Sequence, residues 1–179
     1  YDRAADTWDI TLTGIGDSAG LGATTTAIGN AKTAGTVTLA GDDYHTGAAT
    51  YTGGSFSITG TDPEFKTTDL AIEFAAADST GGDVTLADAA DLSVATGTGS
   101  ITFGGDILGT DNGVATDVVL DSSGTVSVKS IGANGSTADG NINDVTIDGS
   151  TITLNGTIST AVLGGCLLYT SPSPRDPHL

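Results

Sequence analysis

The sequence contains almost no cysteine, methionine or proline. Cysteine occurs once, methionine is absent, and three of the four prolines follow residue 170. A single thiol excludes a disulfide framework and a thiolate metal centre. Apolar residues also form no run approaching the ~20 residues that a membrane-spanning helix needs. The chain is therefore expected to have no membrane span and no disulfide cross-links.

Positive charge is equally scarce. Five Lys and Arg residues stand against 22 Asp and Glu residues, which gives a formal net charge of −17 at pH 7. Such a field repels nucleic acid and anionic membranes and favours solubility. Screening by salt or divalent cations would weaken this self-repulsion. We expect no nucleic-acid partner.

The last fourteen residues differ in composition from the rest. Residues 166–179 contain the only cysteine and three prolines, whereas residues 1–165 consist mainly of Gly, Thr, Ala, Ser, Asp and aliphatic residues. The stretch "CLLYTSPSPRD", residues 166–176, resembles a translated sequencing adapter. We predict a non-native, disordered tail at 166–179 and a repeat region at 1–165, with a genuine Pro-rich linker as the alternative. Because the chain starts at Tyr1 without a Met, we expect a fragment of a longer reading frame.

One short phrase recurs along the repeat region: apolar, Thr or Ser, apolar, any residue, then usually Gly. It occurs as ITLTG at Ile10, VTLAG at Val37, FSITG at Phe56, VTLAD at Val84, ITFGG at Ile101, VTIDG at Val145 and ITLNG at Ile152. Alternation of period two predicts a short strand with one buried face. Gly, Asp-Gly and Asn-Gly between the phrases predict turns. "LAIEF" from Leu70 follows period two as well, which favours a strand over a helix.

These patterns predict an all-β protein, and two architectures fit. A β-solenoid stacks turns of about 20 residues that contact only their neighbours. A β-sandwich repeat array would usually anchor two facing sheets on large aromatic residues. The eight aromatic residues before the tail are Tyr1, Trp8, Tyr44, Tyr51, Phe56, Phe65, Phe74 and Phe103. Because none follows Phe103 through a long stretch of strand pattern, we favour the solenoid, with the sandwich as the alternative.

The strings "GTVTLAGDDYHTGAATYTG", "GTGSITFGGDI" and "GSTITLNGTIST" resemble the repeats of large bacterial surface proteins, of which filamentous haemagglutinin-like adhesins are an example. The resemblance implies a right-handed parallel β-helix, export to the cell surface or medium, and a stalk or adhesive role. Cell-surface glycans or proteins would then be the partners.

The acidic turns also suggest a metal site. "ADGNINDVTIDGS" holds five Asp and Asn residues within ten positions: Asp139, Asn141, Asn143, Asp144 and Asp148. Calcium prefers clustered carboxylate, amide and carbonyl oxygens. However, neither an EF-hand loop nor the nonapeptide of calcium β-rolls is present. Calcium is the one cofactor that the sequence suggests, and turn chemistry explains the same residues without it.

Catalysis finds little support. His45 is the sole imidazole before the tail, and no nucleophile elbow accompanies it, so it is predicted to be an exposed turn residue. A polysaccharide-active β-helix enzyme would need paired carboxylates, for which the candidates are Asp42 with Asp43, Asp88 with Asp91 and Asp144 with Asp148. Asp residues in turns more often accept hydrogen bonds from backbone amides. We therefore expect no catalysis.

The interpretation that follows is a structural or adhesive stalk segment of a large secreted or cell-surface repeat protein. The alternatives are a polysaccharide-active β-helix enzyme, which would bring several acids and a base or aromatic residues together on one face of adjacent turns, and calcium-binding extracellular sandwich modules.

Overall fold

A computed structural model describes residues 9–16, 25–29, 35–77, 81–110, 116–132, 140–160 and 166–170. Within these ranges the chain forms strands and turns, and no helix long and apolar enough to cross a membrane is found there. In chain order the strands are β1 (Ile10–Leu12), β2 (Thr25–Ile28), β3 (Thr36–Leu39), β4 (Asp43–His45), β5 (Ala48–Gly53), β6 (Ser55–Ile58), β7 (Glu64–Lys66), β8 (Ile72–Ala76), β9 (Asp83–Leu86), β10 (Leu92–Ala95), β11 (Ile101–Phe103), β12 (Ile107–Leu108), β13 (Val118–Asp121), β14 (Thr125–Val128), β15 (Val145–Asp148), β16 (Thr151–Leu154) and β17 (Leu167–Thr170).

The strands assemble into three parallel sheets. Sheet 1 has the order β1-β3-β6-β9-β12, sheet 2 the order β17-β15-β13-β10-β7-β4, and sheet 3 the order β16-β14-β11-β8-β5-β2. From β3 to β14 successive strands visit sheets 1, 2 and 3 in turn, so each circuit stacks on the previous one and the whole is a β-solenoid of about five turns. In the first and last turns isolated bridges at Ile15 and Ile131 stand where a strand is missing. The predicted solenoid is confirmed. The sandwich alternative is wrong, because consecutive strands lie in different sheets and do not pair as antiparallel hairpins.

The repeated phrase marks the register of sheet 1. Ile10 pairs with Val37, Val37 with Phe56 and Phe56 with Val84, so four copies of the phrase lie one above another. The later copies join other sheets: those at Ile101 and Ile152 form β11 and β16 of sheet 3, and that at Val145 forms β15 of sheet 2. The same strand-and-turn phrase therefore serves every side of the solenoid.

The core fills the space between the three sheets. Alternate residues of each strand point inward, as in β3, where Val37 and Leu39 are fully buried. In the early turns aromatic rings stack along the axis: Tyr44 lies on Phe65, and Tyr51, Phe74 and Phe103 form a column. In the later turns the buried hydrophobic residues are Val, Ile and Leu. Because each turn adds only a few inward side chains, the narrow interior can be packed either with aromatic rings or with aliphatic side chains.

A column of buried hydroxyls lines the corner between sheets 2 and 3. Its members, which directly follow strands of sheet 2, are Thr46, Thr67, Thr96 and Ser122. Each backbone N–H donates to a carbonyl one turn on, which continues the sheet past the strand end. The hydroxyls donate to carbonyls of the bend, as when Thr96 Oγ1 donates to the Gly99 carbonyl at 2.6 Å. The corner thus satisfies backbone groups that the sheets leave unpaired.

Replacing Thr96 with Val should therefore lower the free energy of unfolding by about 1 kcal/mol, because the buried Gly99 carbonyl loses one of its two hydroxyl donors, keeping only Ser122 Oγ, while the side-chain shape is kept. Thr96→Ser retains the hydroxyl and should cost less. Urea unfolding of the two variants measures the difference. A Val variant as stable as the Ser variant would show that the hydroxyl column is dispensable.

The first part of the tail forms a strand where the sequence predicts disorder. Leu167–Thr170 is β17, in parallel register with β15 at the edge of sheet 2. An open sheet edge offers unpaired N–H and C=O groups to any extended segment, and "LLYT" has residues that favour strands. Leu167, Leu168 and Tyr169 are 43, 50 and 41 % exposed, so the strand adds little to the core. Residues 171–179 lie outside the described residues, and the non-native origin of the tail stays a prediction.

Candidate functional site

Two adjacent strands of sheet 2 present a cluster of charged side chains on the outside of the solenoid. β4 reads Asp-Tyr-His and β7 reads Glu-Phe-Lys, and the two pair in parallel so that Asp43 lies beside Glu64. The central residues Tyr44 and Phe65 are fully buried, with stacked rings 4.5 Å apart. Because neighbouring residues of a strand point to opposite faces, the residues flanking Tyr44 and Phe65 face outward.

The outward side chains converge on the imidazole of His45. Its Nε2 lies 2.6 Å from Glu64 Oε2 and 3.9 Å from Asp43 Oδ1. Lys66 Nζ lies 3.6 Å from the other oxygen of Glu64. Among the residues that the structure describes, Asp43, His45 and Glu64 are the one group of His, Cys, Asp or Glu side chains close enough to share an ion, with ligand atoms within 4.8 Å of one another. We call these three residues the His45 cluster.

Burial distinguishes His45 from its neighbours. The His45 side chain is 6 % exposed, whereas those of Asp43 and Glu64 are 58 and 38 % exposed. A buried imidazole between two partly hydrated carboxylates can share a proton with them or replace that proton by a metal ion. The prediction that His45 is an exposed turn residue is wrong, since it lies in β4 and is buried.

The sequence carries one signal for this cluster. "DYH" and "EFK" both place an aromatic residue between two polar residues, which is the pattern of a strand with a buried centre and polar flanks. The pattern does not show that β4 pairs with β7. Asp43 and Glu64 are neighbours because of the length of one solenoid turn, and no local motif encodes that length.

The predicted calcium residues lie around β15, and the structure does not gather all of them. Asp139 lies outside the described residues, and Asn141 is buried. Asn143 Nδ2 donates to Asp117 Oδ1 at 2.9 Å. Asp144 immediately precedes β15 and Asp148 ends it, so their backbones are about 13 Å apart at ~3.3 Å per residue. The calcium site stays a prediction.

The same distance bears on the proposed carboxylate pair of Asp144 and Asp148. The backbones of Asp144 and Asp148 lie about 13 Å apart along one strand, which exceeds the ~5–9.5 Å between the carboxyl groups of glycosidase pairs. Alternation turns both positions to the same face of the sheet but does not bring them closer. In the candidate pair of Asp42 and Asp43, only Asp43 belongs to the His45 cluster. Asp42 Oδ1 instead accepts a hydrogen bond from the backbone N–H of Asp62 at 3.2 Å.

Many of the acidic residues instead hold the turns of the solenoid together. Asp91, Asp117 and Asp144 each precede a strand of sheet 2 and form what we call the aspartate column. Asp91 Oδ1 accepts the N–H of Asp117 at 3.1 Å, Asp117 Oδ1 accepts that of Asp144 at 3.0 Å, and Asp144 Oδ1 accepts that of Cys166 at 2.7 Å. In sheet 1, Asp9, which precedes β1, and Asp83, which begins β9, accept amides of the next turn in the same manner. Asp side chains therefore accept hydrogen bonds from backbone amides, as expected. The donors, however, lie on the next circuit of the solenoid and not in the same local chain reversal.

The aspartate column also stacks like charges. Partial burial of Asp91, together with the carboxylates of Asp117 and Asp62, raises the pKa of Asp91 above its ordinary value, although the hydrogen bond from the Asp117 N–H opposes the rise. A raised pKa in the folded state means that protonated Asp91 stabilises the fold at low pH. This contribution is lost as the pH rises through the folded-state pKa.

Asp91→Asn should therefore stabilise the protein at pH 7, because the amide oxygen still accepts the Asp117 N–H and the like charge is gone. The gain should be below about 1 kcal/mol, since Asp91 is exposed and screened. Near pH 3, where Asp91 itself is largely protonated, the gain should vanish. Thermal melts at both pH values measure it, and destabilisation at pH 7 would show that the acceptor must carry charge.

Comparison of this chain with protein-family models, with curated proteins and with solved structures finds no match.

Proposed function

We propose that this chain is a structural segment of a large secreted or cell-surface repeat protein, in which it serves as a stiff spacer. The observation that carries the proposal is the in-register stacking of three parallel sheets around one continuous core. In such a fold each turn contacts only its neighbours, so the length grows by about 4.8 Å for each added turn. A fold of this kind is suited to spanning distance.

The outer surface supports the same role. The acids of the aspartate column recur from turn to turn and accept amide hydrogen bonds, so they contribute to stacking as well as to the net charge of −17. A strongly acidic exterior keeps an elongated protein soluble and limits side-by-side association. The resemblance to adhesin repeats fits this proposal, and surface glycans or proteins are the partners it suggests.

The location can be tested with antibodies raised against the chain. Labelling of intact cells of the encoding organism, or recovery of the antigen from the medium, is the expected result. Labelling only after permeabilisation would contradict the proposal. Binding of chain-coated beads to glycan and matrix-protein arrays would separate an adhesive segment, which binds, from a spacer, which does not.

A polysaccharide-active enzyme is the second candidate, and one observation favours it. The His45 cluster places acids and a base on adjacent turns, as that alternative predicted. However, the aromatic residues beneath it, Tyr44 and Phe65, are buried and offer no exposed ring to a sugar. A polysaccharide panel assayed for new reducing ends, with Glu64→Gln as the inactive control, would reveal such an activity.

A further inference from the structure

We propose that the His45 cluster is a binding site for a divalent transition-metal ion of the zinc class, held between two turns of the solenoid. The ligands would be His45 Nε2, one oxygen of Asp43 and one oxygen of Glu64, which lie within 4.8 Å of one another. The proposal is independent of the spacer role, since neither the stalk nor the enzyme interpretation requires a metal.

The backbone holds the three ligands in place before any ion binds. β4 and β7 are locked in parallel register, and the stacked rings of Tyr44 and Phe65 fix both strands from the core side. His45 is already buried, so its side chain has little rotational freedom left to lose. A site that is largely formed in advance binds more tightly because less ordering accompanies binding.

The ligand types and distances select the class of ion. Imidazole suits zinc and its neighbours, whereas calcium and magnesium favour oxygen ligands alone. With metal–ligand bonds of ~2.0–2.2 Å, two ligands of a tetrahedral site lie roughly 3.4 Å apart. The distances from His45 Nε2 to Glu64 Oε2 and Asp43 Oδ1, 2.6 and 3.9 Å, lie on either side of that value. Rotation of the partly exposed Glu64 side chain can open the shorter distance, and three protein ligands leave a fourth position for water.

The surrounding charges have opposite effects on metal binding at the His45 cluster. Asp42 lies next to the cluster in sequence, and the chain as a whole carries a charge of −17, which raises the local concentration of cations. Lys66 Nζ, 3.6 Å from Glu64 Oε1, competes for the carboxylate. We therefore expect Lys66→Gln to strengthen zinc binding by roughly threefold, an effect that a purely structural ion pair would not produce.

The test is calorimetric titration of the folded chain with Zn²⁺ at physiological ionic strength, with Co²⁺ absorption as a second probe of imidazole coordination. We expect one site per chain, weakened by roughly tenfold or more in each of Asp43→Asn, His45→Gln and Glu64→Gln. Thermal melts without metal establish that each variant is folded, and for any variant that unfolds, Lys66→Gln supplies the independent measurement.

Matched controls separate a site from counterions around an acidic protein. Asp121 and Asp148 also lie side by side on neighbouring strands of sheet 2, without a histidine, so Asp121→Asn and Asp148→Asn remove the same charge elsewhere. These variants, and His178→Gln/Cys166→Ser, should bind Zn²⁺ as the unaltered chain does. The proposal is overturned if the control variants weaken binding as much as His45→Gln, if the unaltered chain shows no saturable site, or if Lys66→Gln leaves the affinity unchanged.

Discussion

Replacing Phe74 with Ala is expected to lower the free energy of unfolding by about 4 kcal/mol. The Phe74 ring is fully buried and meets four other aromatic rings. It stacks between Tyr51 and Phe103 at centroid distances of 5.0 and 4.7 Å, and it meets Phe56 and Phe65 edge to face. Because three hydrogen-bonded sheets surround the ring, the walls cannot collapse into the cavity that Ala would leave, and the full cavity cost remains.

Urea unfolding followed by circular dichroism measures this loss against two controls. Phe74→Leu keeps most of the volume and should cost about 1.5 kcal/mol or less. Leu70→Ala removes a side chain that is 42 % exposed, only four residues away, and should cost about 0.5 kcal/mol. If Phe74→Ala were no more costly than Leu70→Ala, the aromatic column would not be the centre of the early turns.

Alanine at Gly105 is expected to destabilise the protein by roughly 3 kcal/mol, whereas alanine at the adjacent Gly104 should change stability by less than about 1 kcal/mol. A Cβ at Gly105 would lie 2.2 Å from the carbonyl carbon and oxygen of Gly82, on the neighbouring turn. Backbone atoms tied into sheet 1 cannot yield as a flexible side chain would. At Gly104 the nearest atom is the Phe74 carbonyl oxygen at 3.3 Å, which requires only a small adjustment.

The pair is informative because the two residues share a bend but lie at different distances from the preceding turn, Gly105 being buried against it and Gly104 exposed. Thermal and urea unfolding of Gly104→Ala and Gly105→Ala, measured side by side, give the comparison. Equal stability of the two variants would mean that the turns are spaced more widely at this corner than the structure shows.

Strand positions could be predicted from the sequence because alternation reports directly on burial. The phrase at Val37 predicted a strand with Val37 and Leu39 inward, and both are fully buried. The steps from Ile10 to Val37, Phe56 and Val84 even equal the register of sheet 1. Alternation does not show which sheet a strand joins, because the backbone conformation at the corners determines the sheet. The phrase at Ile101 accordingly lies in sheet 3, while the shorter β12 continues sheet 1.

The stretch "LAIEF" shows how a corner overrides a pattern. Ile72 and Phe74 are buried as predicted, but Leu70, two residues earlier in the same alternation, is 42 % exposed. The cause is Asp69, whose φ of 59° turns the chain just before Leu70. Asp69 Oδ1 accepts hydrogen bonds from the N–H and Oγ1 of Thr98 on the next turn, and these bonds lower the pKa of Asp69. A partner 29 residues away is invisible to any local pattern.

The His45 cluster escaped prediction for the same reason. Its members come from two turns of different length, and their meeting depends on the register of β4 with β7. Conversely, the residues that are close in sequence, Asp144 and Asp148, lie at opposite ends of one strand. In a solenoid, neighbours in space are one turn apart, so a dense run of acids along the chain does not by itself form a site.

The central claim is that successive turns stack in parallel, and nuclear Overhauser effects between backbone protons test it most directly. Parallel stacking predicts contacts between N–H and Hα protons that connect Val37 with Phe56 and Phe56 with Val84. Strong Hα–Hα contacts between strands adjacent in sequence, such as β5 and β6, would instead indicate antiparallel hairpins and would contradict the solenoid.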